Sequence, residues 1–165
     1  MRNIIVLFIV IIPILVSCKP EPEATLTLEF SNASSADISV QRRGVGDSVE
    51  TYFSLNSEQD VFSVSASQTG GSVSSLFRGM IIPADSVIVV FNDSLKIVHI
   101  RFVEGSGGSS QYEGRTDIIW RNQPRSVFNL DSYAQEDRGD DRNEYVIARY
   151  TFTEEDLEYA ISVYE

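Results

Sequence analysis

Two runs of β-branched and aromatic residues, 87–91 (VIVVF) and 95–102 (LKIVHIRF), are separated only by Asn92-Asp93-Ser94. Side chains branched at Cβ pack well on a pleated surface, and so short a connection between two such runs makes a hairpin. Both runs are nearly continuous in apolar residues, which places them at the centre of a sheet covered on both sides. A chain with this hairpin in it is organised as layered β-structure, and its core is expected around these strands.

Alternation with a period of two surrounds the hairpin. Leu26, Leu28 and Phe30 alternate with Thr25, Thr27 and Glu29 in a half-buried first strand. Ser31 to Ser35 is turn material, and Ile38 and Val40 face inward from a second strand ending near Arg43, so these two are expected to pair as a hairpin. Val49, Thr51, Phe53 and Leu55 mark the inner face of a third strand. Residues 61–67 and 73–78 are weaker, Ser-rich strand candidates, and 104–110 is a mobile Gly/Ser-rich loop. Ile118-Ile119-Trp120 is a short strand, 135–144 a charged exposed loop, and 145–152 the last strand. Thr153 then caps a helix with Glu154, Glu155 and Asp156 in its first turn, and Leu157, Ala160, Ile161 and Tyr164 form its apolar stripe. The expectation is a mainly β chain: eight or so short strands in an antiparallel β-sandwich, with one short C-terminal α-helix. A partly open barrel is the second choice.

The chain begins differently. Arg2 is followed by thirteen apolar positions, Ile4 to Val16, broken only by Pro13. About 20 apolar residues are needed to cross a bilayer, so this stretch reads as a cleaved secretory signal over residues 1–17. It ends in Leu15-Val16-Ser17-Cys18, which resembles the lipobox of bacterial lipoproteins. The resemblance implies cleavage before Cys18 and acylation of its sulfur, a membrane anchor that needs two or more chains to be stable. Residues 18–24 are then a lipidated cysteine and a Pro/Glu tether, and 25–165 a single β-rich domain. The acidic tether resembles the surface-export signal of Bacteroidetes lipoproteins. The segment Arg149 to Asp156 (RYTFTEED), behind the Val-rich hairpin, is similar to small cell-envelope lipoproteins of that group. These likenesses imply an outer-membrane, lipid-anchored protein facing the cell surface, with the periplasmic face as the alternative.

Cys18 is the one cysteine of 165 residues, so no disulfide staples the domain. The net charge is −11, with all 24 acidic residues beyond the leader, which disfavours nucleic acid as a partner. His99 is the one histidine and stands in no nucleophile motif, and zinc needs several His or Cys ligands. No catalytic residue, metal ligand or cofactor is assigned. Asp137, Asp140, Asp141 and Glu144 are interleaved with Arg138 and Arg142 and read as a self-neutralising loop, though oxygen ligands leave calcium open. Arg138-Gly139-Asp140 spells an integrin-binding tripeptide that recurs readily by chance. Asp-Ser-aliphatic triplets at Ser48, Ser86 and Ser94 resemble the Bacteroidetes O-glycosylation sequon. Trp120 with Arg121 and Tyr112 is the candidate ligand-binding group, since exposed aromatics stack on sugars or anchor partners.

The expected function is non-catalytic: a lipid-anchored envelope domain that works by interaction, with a glycan or an envelope protein as partner. A carbohydrate-binding accessory is one specific form of it. A pilus-like subunit whose sheet accepts a neighbour's strand is another, and that one requires an unpaired sheet edge.

Overall fold

A computed structural model describes residues 20–43, 49–57, 60–81 and 85–165. Among these described residues nine strands and two α-helices follow in order: β1 (Glu23–Asn32), β2 (Ile38–Arg43), β3 (Val49–Leu55), β4 (Val61–Thr69), α1 (Val73–Ile81), β5 (Ser86–Phe91), β6 (Leu95–Ile100), β7 (Ile118–Trp120), β8 (Ala134–Asp137), β9 (Glu144–Phe152) and α2 (Glu154–Tyr164). They form a four-stranded sheet, β4-β1-β9-β8, and a five-stranded sheet, β3-β2-β5-β6-β7. The fold is mainly β, with two sheets and no closed barrel, as the alternation implies.

The Val-rich hairpin stands where its composition places it. β5 lies in the middle of the five-stranded sheet, paired antiparallel with β2 and β6. Asn92 and Asp93 take φ of 47° and 59°, the left-handed pair that a tight hairpin turn requires. Val89, Phe91 and Ile97 point into the main core, and Val98 and Ile100 into a second, smaller cluster on the opposite face. The sheet is thus covered on both sides at this point.

Several expectations change. β1 and β2 are not a hairpin, because they belong to different sheets. The buried Asn32 makes the crossing: its amide donates to Ala36 O (2.7 Å) and Asn56 O (3.1 Å), and its Oδ1 accepts from Ser34 N (2.9 Å). Residues 73–81 are helical rather than extended, since Val73, Leu76, Phe77 and Met80 follow helical spacing and Ser72 Oγ accepts from Ser75 N (3.3 Å). The sheets are mixed, because β1 runs parallel to β9 and β6 parallel to β7. The charged stretch 135–144 begins as β8, an edge strand on β9, before turning. At the C-terminus, Leu157 and Ala160 are buried as expected, but Ile161 and Tyr164 are exposed.

Aromatic rings join the two layers. Phe30 of β1 lies 5.1 Å from Phe53 of β3 and 6.0 Å from Tyr133, and Phe53 stacks on Phe62 of β4 at 4.3 Å between centroids. The register of β3 shifts opposite Val40/Gln41, so the inner face ends at Phe53 and Leu55 while Val49 and Thr51 are exposed. α1 places Val73, Leu76 and Phe77 in the same core. Replacing Phe30 by Ala should lower stability by about 3–5 kcal/mol, and Val61→Ala, at an exposed site, by under about 0.5 kcal/mol. Urea unfolding of the two variants checks this.

Candidate functional site

The residues singled out as ligand-binding do not gather at the surface. Trp120 and Tyr112 are 6% and 5% exposed and pack with Val98, Ile100 and Ile118 in the smaller cluster. At that exposure both rings are enclosed, with Ile88 and Phe102 packed against the cluster. That corrects the stacking role expected of them, since no ring face is open to a sugar. Arg121 is exposed and lines a shallow cleft with Arg78, Ser74 and Asn129. Ser86 is 2% exposed, which withdraws it from modification, while Ser94 is exposed in the hairpin turn. Cys18 and Ser48 lie outside the described residues.

The acidic turn between β8 and β9 is occupied with itself. Asp140 accepts from the backbone N–H of Arg142 (2.8 Å) and Asn143 (2.9 Å), and these bonds hold its carboxyl below the ordinary range. Arg138 pairs with Glu136 at 2.6 Å. The Arg-Gly-Asp triplet is therefore engaged at both charged ends by its own turn. Among the described residues no group of three His, Cys, Asp or Glu side chains is placed to hold a metal.

A partly buried polar network lies where β9 enters α2. Arg125 donates through Nε to Asp156 Oδ1 (3.1 Å), through Nη2 to Asp156 Oδ2, and also through Nη2 to Thr151 O (2.8 Å). Asp156 Oδ2 also accepts from Thr153 N (2.8 Å), which is the capping contact expected of that position. Arg125 has a φ of 68°, unusual without glycine, and Tyr150 Oη donates to its carbonyl at 2.6 Å and holds it there. His99 is 2% exposed and accepts at Nδ1 from Val127 N (3.3 Å). Burial pushes its pKa down to about 4, Asp156 opposing and Arg125 adding. A neutral imidazole and a paired carboxylate hold loop 125–128 against β6 and α2. The imidazole is bonded to backbone, and the carboxylate to Arg125 and to the Thr153 that starts its own helix. The arrangement therefore reads as structural.

The space between the sheets is also poor in room. The apolar cavity lined by Phe30, Val40, Phe53, Val64, Met80 and Val127 is about 40 Å³, against about 300–1,000 Å³ for a ligand pocket.

The backbone edge is more informative. Among the described residues no strand pairs with the far side of β4. Proteins protect such edges with short strands, charges, proline or bulges. β7 has three residues, β8 has four with Glu136 and Asp137 among them, and β3 carries Glu50 and an irregular register. β4 runs nine residues, VFSVSASQT, with no charge and no proline. Its Phe62, Val64 and Ala66 lean on the core, while Ser63, Ser65 and Ser67 face solvent. Two of those hydroxyls pair across to β1, Ser67 with Thr25 and Ser65 with Thr27, both at 2.8 Å. In the sequence this strand reads as weak because its outer row is serine. The available signal is nine uncharged residues in a chain of net charge −11.

Protein-family models, curated proteins and solved structures were each compared with the chain, and none matches.

Asp156→Ala should cost about 2–3 kcal/mol, between the loss of a helix cap and the breaking of a fully buried ion pair. Chemical denaturation at neutral pH measures it. His99 also sets a pH dependence. The unfolded chain takes up the proton near pH 6.5 and the folded chain near 4, so the stability is complete above the first value and is lost as pH falls to the second. The full loss is about 3 kcal/mol, with about 2 kcal/mol gone by about pH 5. Unfolding free energies of wild type and His99→Gln at the two pH values should converge by about that amount in acid; parallel curves would contradict it.

Proposed function

We propose that the protein is a lipid-anchored cell-envelope domain of interaction type, which binds an extended segment of a partner along β4 rather than catalysing a reaction. The observation that carries this reading is the β4 edge: nine residues long, uncharged and unpaired among the described residues. An added strand satisfies the free N–H and C=O groups of such an edge, and alternate side chains supply selectivity. The anchor rests on the leader and on Leu15-Val16-Ser17-Cys18, which favour lipid on Cys18 and the outer membrane, cell-surface side, with the periplasmic face as the alternative. Pro20 and Pro22 space the domain from the bilayer by a short stiff tether. The carbohydrate-binding form of the reading loses its named contact with the burial of Trp120.

The full chain, expressed with its leader in a bacterial host, tests both halves. A photo-reactive side chain at Ser63 should give a covalent adduct in the intact envelope, and one at the exposed Lys96 of β6 should not. Cys18→Ala should release the protein from the membrane fraction and abolish palmitate labelling. Equal adducts at both positions, or none at Ser63, would overturn the edge reading; retained palmitate in Cys18→Ala would overturn the anchor.

A further inference from the structure

We propose that the cleft between α1 and the chain at 121–131 binds a single sugar acid, its carboxylate held by Arg78 and Arg121. The site is separate from the edge-docking reading, since no residue of β4 lines it. The chain has 24 acidic residues against 13 basic ones, so its arginines find carboxylates readily. Arg42, Arg101, Arg115, Arg125, Arg138 and Arg149 each do so. Arg142 has no ion pair but sits beside Asp140 in its own turn. Arg78 and Arg121 pair with no acid among the described residues, yet both line one cleft of about 230 Å³.

Two guanidinium groups brought to one cleft without a counter-ion repel each other, and a bound anion removes that cost. Each is a planar fork that fits a carboxylate through two parallel bonds. The backbone under both is held. Arg78 follows the buried Phe77 in the last turn of α1, where the negative end of the helix favours a cation. Arg121 N donates to Phe102 O at 3.2 Å, in a turn that Gln123 N closes onto Trp120 O at 2.9 Å. Neither head group is bonded within the described chain, so both are open to a ligand.

The rest of the lining narrows the choice. Asp131 lines the same cleft without pairing to either arginine. The three charges therefore sum to +1, which one carboxylate neutralises and a phosphate monoester, at about −1.5 to −2, would overshoot. An ionised carboxylate such as that of Asp131 only accepts, so beside a bound anion it calls for ligand hydroxyls. Ser74 and Asn129 add neutral donors for the same hydroxyls. Asn129 Oδ1 accepts from Asp131 N at 3.1 Å, which leaves its amide N–H groups free. A carboxylate flanked by hydroxyls is the chemistry of a sugar acid. The volume falls below the about 300–1,000 Å³ of a drug-sized pocket, so one sugar unit is its measure. The neighbour of Trp120 thus keeps a role that the buried ring cannot have.

The test uses the full chain in neutral detergent at low salt, where exposed charges are least screened. Ligand-observed NMR should show glucuronate or its methyl glycoside, the free and chain-end forms, binding about tenfold more tightly than glucose or acetate. The tighter of the two names the source. Arg78→Ala and Arg121→Ala should each weaken glucuronate by about tenfold, and Arg121→Lys should not restore it. Both side chains are exposed and unbonded, so the urea midpoints of these variants should stay at wild type. Asp131→Asn should separate the ligands: acetate, freed of a like charge, gains affinity, while the preference for glucuronate over acetate falls. Glucuronate no tighter than acetate, inorganic phosphate preferred to glucuronate, or unchanged binding in both alanine variants would overturn the proposal. Such a failure leaves the adduct at Ser63 in place, because the two sites share no residue.

Discussion

The ring cluster of Phe30, Phe53, Phe62, Tyr133 and Tyr150 is the joint on which the two sheets depend. With a single cysteine, Cys18, the domain has no disulfide staple, and its layers are held chiefly by apolar burial and ring packing. Phe30 contributes from β1, Phe53 from β3 and Phe62 from β4, so one cluster ties both sheets together near their open side. Tyr133 and Tyr150 extend it toward β9, and Phe77 of α1 meets Tyr133 edge-on at 5.4 Å. Burial raises the hydroxyl pKa of both tyrosines, and each finds a carbonyl acceptor, Val127 O for Tyr133 and Arg125 O for Tyr150. The polar ends of the aromatic core are thus bonded to the same loop that Arg125 and Asp156 fix.

That loop links the core to the C-terminal helix. Burial is the largest single influence on Arg125 and acts against its charge, but the hydrogen bond to Asp156 and the charge interactions with Tyr150, Asp156 and Glu155 together outweigh it and keep the guanidinium ionised. The carboxylate has two duties, ending the pair and capping α2, which explains why it is buried within an otherwise exposed acidic first turn. Gathering His99, Arg125, Tyr150 and Asp156 in one place has the composition of a catalytic site. Its partners are backbone groups and each other, and its consequence is a rigid corner.

Most strands were legible because one face of each is buried, and burial writes the period of two directly into the residues. β5 and β6 needed only their β-branched runs, and α2 only Thr153, Asp156 and the spacing from Leu157 to Ala160. What could not be read was which sheet a strand joins. The side chain of Asn32 decides that β1 and β2 part company, through bonds to Ala36 and to Asn56, 24 positions away. α1 was obscured by Ser72, Ser74 and Ser75, which read as loop or weak strand, although Val73, Leu76, Phe77 and Met80 already keep helical spacing. Trp120 and Tyr112 looked available because they lie near a polar, glycine-rich loop; only the folded chain shows both rings packed with Val98, Ile100 and Ile118.

The place of β1 bears on how the chain reaches its final form. Its two neighbours are β4, antiparallel, and β9, parallel, with Ala24 beside Glu144 and Asn32 beside Phe152. A strand early in the chain is therefore completed by one that comes much later in it. Pairing over about 120 positions is slow, because the intervening chain must be ordered before the contact forms. Until then the half-built sheet has a second bare margin, exposed to wrong pairing while the rest of the chain folds.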